Sequence, residues 1–403
     1  TNKHVAGPVR APGGPQTTFA KESHLDEVAR KLGIDPLDFR LRNAWEDGDL
    51  SPTSQRLGKV SVKEALRRAA RAIDWNAKRP TDRGRGISCA WWFSSCVESN
   101  ARVEVRSDGR VIVRSGSTEI GTGSAASALP IFAADVLGID PGEIELQIGD
   151  TGLELYDDGV SGSGSTYGAG MAVENAACDA RAKLVALAED ALEARAEDIE
   201  LHGGRAAVRG APHHAVALAD LAARAGGSVV GAGASEAGPS PEFDESLVES
   251  HDFGGWRDPS YTASAAEVDV DRDTGRVVVR KLVTAQDVGF AVNPLGVIGQ
   301  IEGGAVQGLG WALTEELHYE DGRLVHPGFG AYLLPTAVDA PAIEPIIIEQ
   351  ASEQGPYGVK GVAEASVTTP AGAIANAIAD AVGIAPHDTP MTPERVWRAL
   401  HAK

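Results

Sequence analysis

Gly355-Pro356-Tyr357-Gly358-Val359-Lys360-Gly361-Val362-Ala363-Glu364 is a glycine-rich loop that runs directly into an apolar, alanine-rich stretch. That stretch, about residues 365–382, reads as a helix. The N-terminus of a helix offers unpaired N–H donors and the positive end of its dipole, hence a place for an anion. Glycine lacks Cβ and lets a ligand touch the backbone. Glu364 falls in the first turn of this helix. Two readings stand side by side. One is an acid placed favourably on the helix dipole. The other is a general base held against whatever the loop binds.

Outward from this stretch the pattern recurs. Glu119-Ile120-Gly121-Thr122-Gly123-Ser124 and Ser161-Gly162-Ser163-Gly164-Ser165-Thr166 each stand before a predicted helix. Gly299-Gln300-Ile301-Glu302-Gly303-Gly304 lies inside or at the start of another. The 403 residues include 47 Gly with no collagen period, so these clusters carry the compositional signal. Together they suggest one large, polar, anionic ligand gripped from several sides. Helix caps and tight turns with no ligand are the alternative.

The periodicity around these loops sets the fold class. Residues 1–16 read as an extended loop, 17–32 as a helix, and Asp35-Pro36 opens a second. Ser61 caps a third, with Glu64 in the capping-box position. Residues 75–84 look like a boundary. Strands are expected at 87–93, 102–105, 111–113, 144–148, 265–270, 277–286 and near 345–349. Turn signals at Ser107-Asp108-Gly109, His202-Gly203-Gly204 and Asp321-Gly322 mark hairpins. Helices are expected at 124–137, 167–194, 216–224, 297–314 and 392–402, and residues 226–260 read as a Gly/Ser/Pro-rich loop. Helices alternating with strand pairs make the class α/β with α+β character, mixed sheets with hairpins packed by helices. No fixed-period repeat appears.

Composition excludes several functions. With 37 Lys+Arg against 57 Asp+Glu the net charge is −20, the wrong sign for nucleic acid or an anionic membrane. Cys89, Cys96 and Cys178 are too few and too scattered for an iron–sulfur cluster or a zinc site. No apolar run is long enough for a membrane span and no signal peptide opens the sequence, so a cytoplasmic location is expected. The start at Thr1 suits either initiator-Met removal or cleavage. Dinucleotide and phosphate-loop spacings both fail, and no Gly-x-Ser-x-Gly elbow exists. His213-His214 is adjacent rather than spaced for a helical metal site.

Five separated motifs, in order, resemble the C-terminal half of the molybdenum-cofactor subunit of the xanthine dehydrogenase and aldehyde oxidoreductase family. Val9-Arg10-Ala11-Pro12-Gly13-Gly14-Pro15-Gln16, with Glu22, Asp26, Leu32-Gly33-Ile34-Asp35-Pro36, Arg40 and Asn43 after it, is similar to the family's loop and helices beside the molybdenum. The Gly121-Thr122-Gly123 and Ser163-Gly164-Ser165-Thr166 loops resemble its pterin-contacting loops. So does Asp287-Val288-Gly289, with Asn293-Pro294, Gly299-Gln300-Ile301-Glu302-Gly303 and Gln307-Gly308 following. The loop ending at Glu364 resembles the one that ends in the family's catalytic glutamate.

The resemblance implies molybdenum–molybdopterin as cofactor, in a plain or a cytosine dinucleotide form, with the metal held through the pterin dithiolene and by no protein ligand. It implies Glu364 as the catalytic base. It implies cofactor contacts from Arg10, Ala11, Gly121, Thr122, Gly123, Gly162, Ser163, Gly164, Ser165, Thr166, Gln300, Lys360 and Gly361. The implied reaction is oxidative hydroxylation of an N-heteroaromatic compound or an aldehyde, with oxygen from water. Electrons would pass to 2Fe-2S and FAD centres on partner chains. Residues 1–80 would complete a first molybdopterin-binding domain and residues 81–403 would form a second carrying the glutamate.

Departures from the family's pattern narrow these expectations. Thr122 stands where many members have Gln. Val9 and Pro12 replace aromatic residues that sandwich a purine, which argues against a flat purine substrate. Trp91, Trp92 and Phe93 would line a substrate entrance or form a half-buried strand. The N-terminal half of the family's subunit has no counterpart here. A second molybdenum-subunit chain, an iron–sulfur subunit and an FAD subunit are the expected partners, in a dimer of the heteromeric complex. A non-catalytic molybdopterin-binding or assembly module, and a hydratase or reductase on the same scaffold, are the alternatives. A scaffold has no need of Glu364.

Overall fold

The computed structural model describes residues 7–51, 56–96, 98–236, 257–325 and 327–402. Three helices open the chain: α1 (Gly14–Lys31), α2 (Pro36–Asn43) and α3 (Val62–Ala72). Then come β1 (Arg83–Ser94), β2 (Ser99–Arg106), β3 (Val111–Ser115), α4 (Leu129–Leu137), β4 (Ile144–Gln147) and α5 (Gly170–Leu192). The middle holds β5 (Ile199–His202), β6 (Arg205–Val208), β7 (Ala211–Ala217), α6 (Leu218–Arg224) and β8 (Ser228–Ser235). Next are β9 (Arg257–Val270), β10 (Val277–Asp287), α7 (Pro294–Leu313), β11 (Tyr319–Glu320) and β12 (Arg323–Leu324). The chain closes with β13 (Ala342–Ile348), α8 (Ala365–Thr368), α9 (Pro370–Val382) and α10 (Pro393–His401).

Two four-stranded sheets carry the molecule. One has the order β1-β9-β10-β13, antiparallel except for the parallel pair β10–β13. On one face Tyr261, Ala263 and Ala265 of β9 meet Leu66 and Ala69 of α3. On the other, Ala266, Val268 and Val270 meet Ile374 and Ile378 of α9 and Leu309 of α7. The period-2 alternation of β9 thus feeds two cores. The second sheet has the order β4-β3-β2-β8 and is covered by α4, α5 and α6. A small β5-β6-β7 sheet and the β11–β12 hairpin complete the class expected from sequence.

Each large sheet receives its main helix on paired glycines. An added Cβ on Gly84 or Gly86 of β1 would come within 2.0 or 2.2 Å of a carbonyl oxygen of α9. The equivalent distances for Gly231 and Gly233 of β8 against α5 are 2.1 and 2.3 Å. This corrects the reading of 226–260 as loop. Residues 228–235 form β8, and glycine is there for close helix approach. Residues 237–256 of that stretch lie outside the described residues.

Smaller differences have local causes. α1 begins at Gly14, with Gly13 at φ 78° and Pro15 in the first turn, so the helix takes in part of the predicted loop. Ser61 stands at the N-cap of α3 but makes no cap bond. Its hydroxyl donates instead to Asp287 Oδ2 at 2.6 Å, and Glu64 pairs with Arg68. A buried carboxylate outcompetes the helix end.

Candidate functional site

Four of the glycine-rich segments meet in an open cleft of about 100 Å³. Residues 124–128 and 165–169 each form a π-helical turn ahead of α4 and α5. Such turns are concentrated at functional positions. The cleft is lined by Thr122, Gly123, Ser163, Ser165, Thr166, Gln300, Lys360 and Gly361, all expected from sequence. Ser124 and Asn293, from the loop and motif quoted above, add polar groups, and so does Ser127, which the sequence had not singled out. On α7 a Cβ at Gly299 or Gly303 would meet nothing within 4 Å, so that helix presents bare backbone to open space.

Gly121, Gly162 and Gly164 shape the loops rather than the cleft wall. Gly121 (φ 103°) and Gly123 (φ 76°) donate their N–H groups to Glu119 Oε1 at 2.7 and 2.9 Å. Ala126 N–H holds the other Glu119 oxygen at 3.1 Å. Burial raises the Glu119 carboxyl, but the N–H groups of Ala126, Gly123, Gly121 and Thr122 outweigh it and hold it below the ordinary glutamate range. Gly162 is pressed against Ser95 and Phe93, where a Cβ would come within 2.7 and 2.8 Å. Gly164 O accepts from Gly168 N and starts the π turn.

Glu364 sits beside lining residue Ala363 and is gripped by three donors. Ala11 N–H reaches Oε1 at 2.8 Å. Trp92 Nε1–H and Ser163 Oγ–H both reach Oε2, each at 2.8 Å. Ala11 and Ser163 have φ of 55° and 57°, positive values uncommon for side-chain-bearing residues. Backbone strain of this kind collects at functional sites.

Arg10 clamps the loop from the other side. Its guanidinium donates to Ala363 O at 2.6 Å, to Gln300 O at 3.1 Å and to Gln307 Oε1 at 3.2 Å. Burial lowers its pKa while Glu364 opposes that.

Lys360 lines the cleft with its backbone, not its charge. Its ammonium turns inward to Asp287 Oδ2 at 2.8 Å, with both side chains almost wholly buried. Asp287 also accepts from Gly289 N–H at 3.0 Å. Trp91 and Trp92 part company along β1. Trp91 joins the core under α3, while Trp92 turns to Glu364. Strand alternation predicts such a split.

A buried ion network backs the site. Arg40 donates to Glu22 Oε2 at 2.8 Å and to Asp26 Oδ1 at 3.1 Å, and Cys89 N–H donates to Glu22 Oε2 at 2.9 Å. It ties α1 and α2 to β1. Burial, reinforced by Glu22, pushes the Cys89 thiol up to about 12, so it stays protonated and is no nucleophile. Among the described residues no group of three or more His, Cys, Asp or Glu could hold a metal ion. No helix there is long and apolar enough to cross a membrane.

The donor set fits molybdopterin. Hydroxyls, the amides of Asn293 and Gln300 and free backbone line the cleft, and the ammonium of Lys360 at its wall is committed elsewhere, which suits a polar group held by hydrogen bonds.

Comparison with known proteins agrees. Models of the molybdopterin cofactor-binding domain match residues 60–341 and 1–44. The xanthine dehydrogenase molybdenum-binding subunit of Escherichia coli O157:H7 is 31% identical over 100% of this chain and 54% of its own length. The nicotine 6-hydroxylase large subunit of Paenarthrobacter nicotinovorans is 33% identical over 99% of this chain and 51% of its own. The quinoline 2-oxidoreductase structure from Pseudomonas putida 86 superposes with a TM-score of 0.86 at 25% identity, covering 98% of this chain and 53% of that one. The chain spans about half the length of the curated relatives it matches. With its loops, its cleft and these matches together, the chain belongs to the molybdopterin-binding family of the xanthine dehydrogenase and aldehyde oxidoreductase molybdenum subunits.

Proposed function

We propose that this chain is the catalytic-glutamate half of a split molybdenum hydroxylase that oxidatively hydroxylates an N-heteroaromatic compound or an aldehyde. The observation that carries the reading is Glu364, fixed by three donors next to the cleft where the glycine-rich loops meet. The molybdenum–molybdopterin group supplies oxygen transfer from water and takes up the substrate's electrons. The chain's own residues bind and orient. Thr122, Ser163, Ser165, Thr166 and Gln300, with the backbone of Gly123, Lys360 and Gly361, hold the pterin. Arg10 fixes the loop on which Glu364 stands, and Glu364 takes up the proton released as oxygen is transferred.

The reading extends to the assembly. A second molybdenum-subunit chain supplies the part of the site that corresponds to the other half of the relatives' length, and 2Fe-2S and FAD chains accept the electrons, in a cytoplasmic dimer of the complex. The pterin is in its plain or its cytosine dinucleotide form. Residues 1–80 complete a first molybdopterin-binding domain and residues 81–403 form the second, with α3 bridging them through the Ser61–Asp287 bond.

Glu364→Gln tests the reading. Molybdenum and pterin content stay at the wild-type level, and turnover falls by about two orders of magnitude or more, the scale of a lost general base. Retained turnover removes Glu364 from the mechanism. A wild-type complex that binds the cofactor but oxidises no heterocycle or aldehyde points to an assembly module or to hydratase or reductase chemistry.

A further inference from the structure

Of the three donors on the Glu364 carboxylate, the Ala11 and Trp92 N–H groups can only donate, and Trp92 is the one side chain among them that a strand sets. The Trp92 indole N–H only donates and carries no charge, whereas the Ser163 hydroxyl can rotate and either donate or accept. The indole has little room to turn. Phe93 stacks on it with centroids 5.0 Å apart and planes at 26°. On another side a Cβ at Gly14 would come within 2.9 Å of its ring, so the backbone of α1 lies close against it. Trp92 pairs with Ser260 across the β1–β9 ladder, so its Cα is held by the sheet.

The two carboxylate oxygens are not equivalent. Each accepts about two hydrogen bonds. Oε2 already receives two, from Trp92 and Ser163, and Oε1 receives one, from Ala11. We propose that Trp92 is a positioning residue for Glu364: its indole N–H fixes the carboxylate rotamer and, with Ser163, occupies Oε2, leaving Oε1 as the atom that takes the proton. This rests on Glu364 being the base and goes further by naming the oxygen and the residue that selects it. Without Trp92 the carboxylate can turn about its side-chain torsions and present either oxygen.

The test uses the assembled enzyme and two replacements at position 92. Trp92→Phe keeps an aromatic ring and removes the N–H. A β-(3-benzothienyl)alanine at 92 puts sulfur in place of the N–H and keeps the bicyclic shape, so it decides the matter if the Phe variant fails to assemble. Both should lower kcat about tenfold, the scale of one hydrogen bond to a charged group, with KM within about twofold and molybdenum content unchanged. In chain labelled with 15N-tryptophan, the indole N–H signal absent from Trp92→Phe should move upfield in Glu364→Gln, because a neutral amide oxygen is the weaker acceptor. Wild-type kcat in both position-92 variants, a loss carried by KM alone, or an indole signal unmoved in Glu364→Gln overturns the role of Trp92. If Glu364→Gln is inactive at the same time, the function proposed above stands. If Glu364→Gln is active, that function falls.

Discussion

Lys360→Met separates two accounts of a lysine that sequence pattern placed among the cofactor contacts. In the structure its Nζ lies 2.8 Å from Asp287 Oδ2, and the side chains are 2% and 0% exposed. At an effective dielectric of about 20, unit charges that close attract by about 6 kcal/mol, and burying both offsets most of it. Removing one partner of such a pair costs about 3–5 kcal/mol, because the other charge is left buried. Asp287 keeps the Ser61 hydroxyl and the Gly289 N–H, so the loss belongs at the lower end, ~3 kcal/mol.

Urea unfolding followed by tryptophan fluorescence, with pterin content measured in parallel, is the assay. Lys360→Met and Asp287→Asn should both lower the midpoint and both reduce pterin content, since either loosens the loop. The double variant Lys360→Met/Asp287→Asn should be less damaged than the sum of the single variants by about 2 kcal/mol. If Asp287→Asn keeps wild-type stability while Lys360→Met alone loses the pterin, the lysine acts by its charge on the cofactor and the ion-pair account is refuted.

Other outcomes follow from the same geometry. Gly231→Ala should cost about 3 kcal/mol or more in urea, because the new Cβ would lie 2.1 Å from Ala176 O, whereas Gly203→Ala, with open space around it, should cost only the left-handed backbone term of about 1 kcal/mol. Glu119 has a depressed carboxyl, so its contribution is full above the unfolded value and is lost as pH falls through the folded one. Thermal stability should therefore decline as pH falls below the ordinary glutamate range, and Glu119→Gln should show a shallower decline. Expressed without the other half of the subunit, the chain should hold little molybdenum or pterin by metal and fluorescence analysis, and full loading would contradict a shared site.

Local pattern made much of the fold legible. Turn residues at 107–109, 203–204 and 321–322 do mark hairpins or strand connections, and the alanine-rich α5 stands where periodicity places it, whereas the helix expected over 365–382 is divided at Thr369-Pro370 into α8 and α9. The failures share a cause. β8 carries Gly231 and Gly233, residues that weaken a strand in isolation, and only the approach of α5 gives them a reason. Ser61 matches a cap, yet its hydroxyl goes to Asp287, 226 residues away in sequence. Tertiary partners overrode local preference in both places. At the site, Gly121, Thr122, Gly123 and the 163–166 stretch were visible as loop chemistry. The direction of the Lys360 side chain and the turn of Trp92 toward Glu364 were not, since neither strand register nor a buried ion pair leaves a short-range signature.

The placement of Glu364 shows why such a site cannot be read from one motif. Its donors Ala11, Trp92 and Ser163 lie 353, 272 and 201 residues away from it in sequence. They come from the loop before α1, from β1 and from the turn before α5. None of those segments is positioned without a sheet or a helix behind it. Ala11 and Ser163 are also held at positive φ, at a cost of about 1–3 kcal/mol each. Each makes one hydrogen bond to the carboxylate, and a bond to a charged group returns about 1.5–3 kcal/mol. Strain and bond are therefore of similar size, and the arrangement holds only while the carboxylate is there to accept. Losing the charge at 364 should weaken these hydrogen bonds together, so the loop before α1 and the 161–166 loop answer to the same side chain although they lie far apart in sequence.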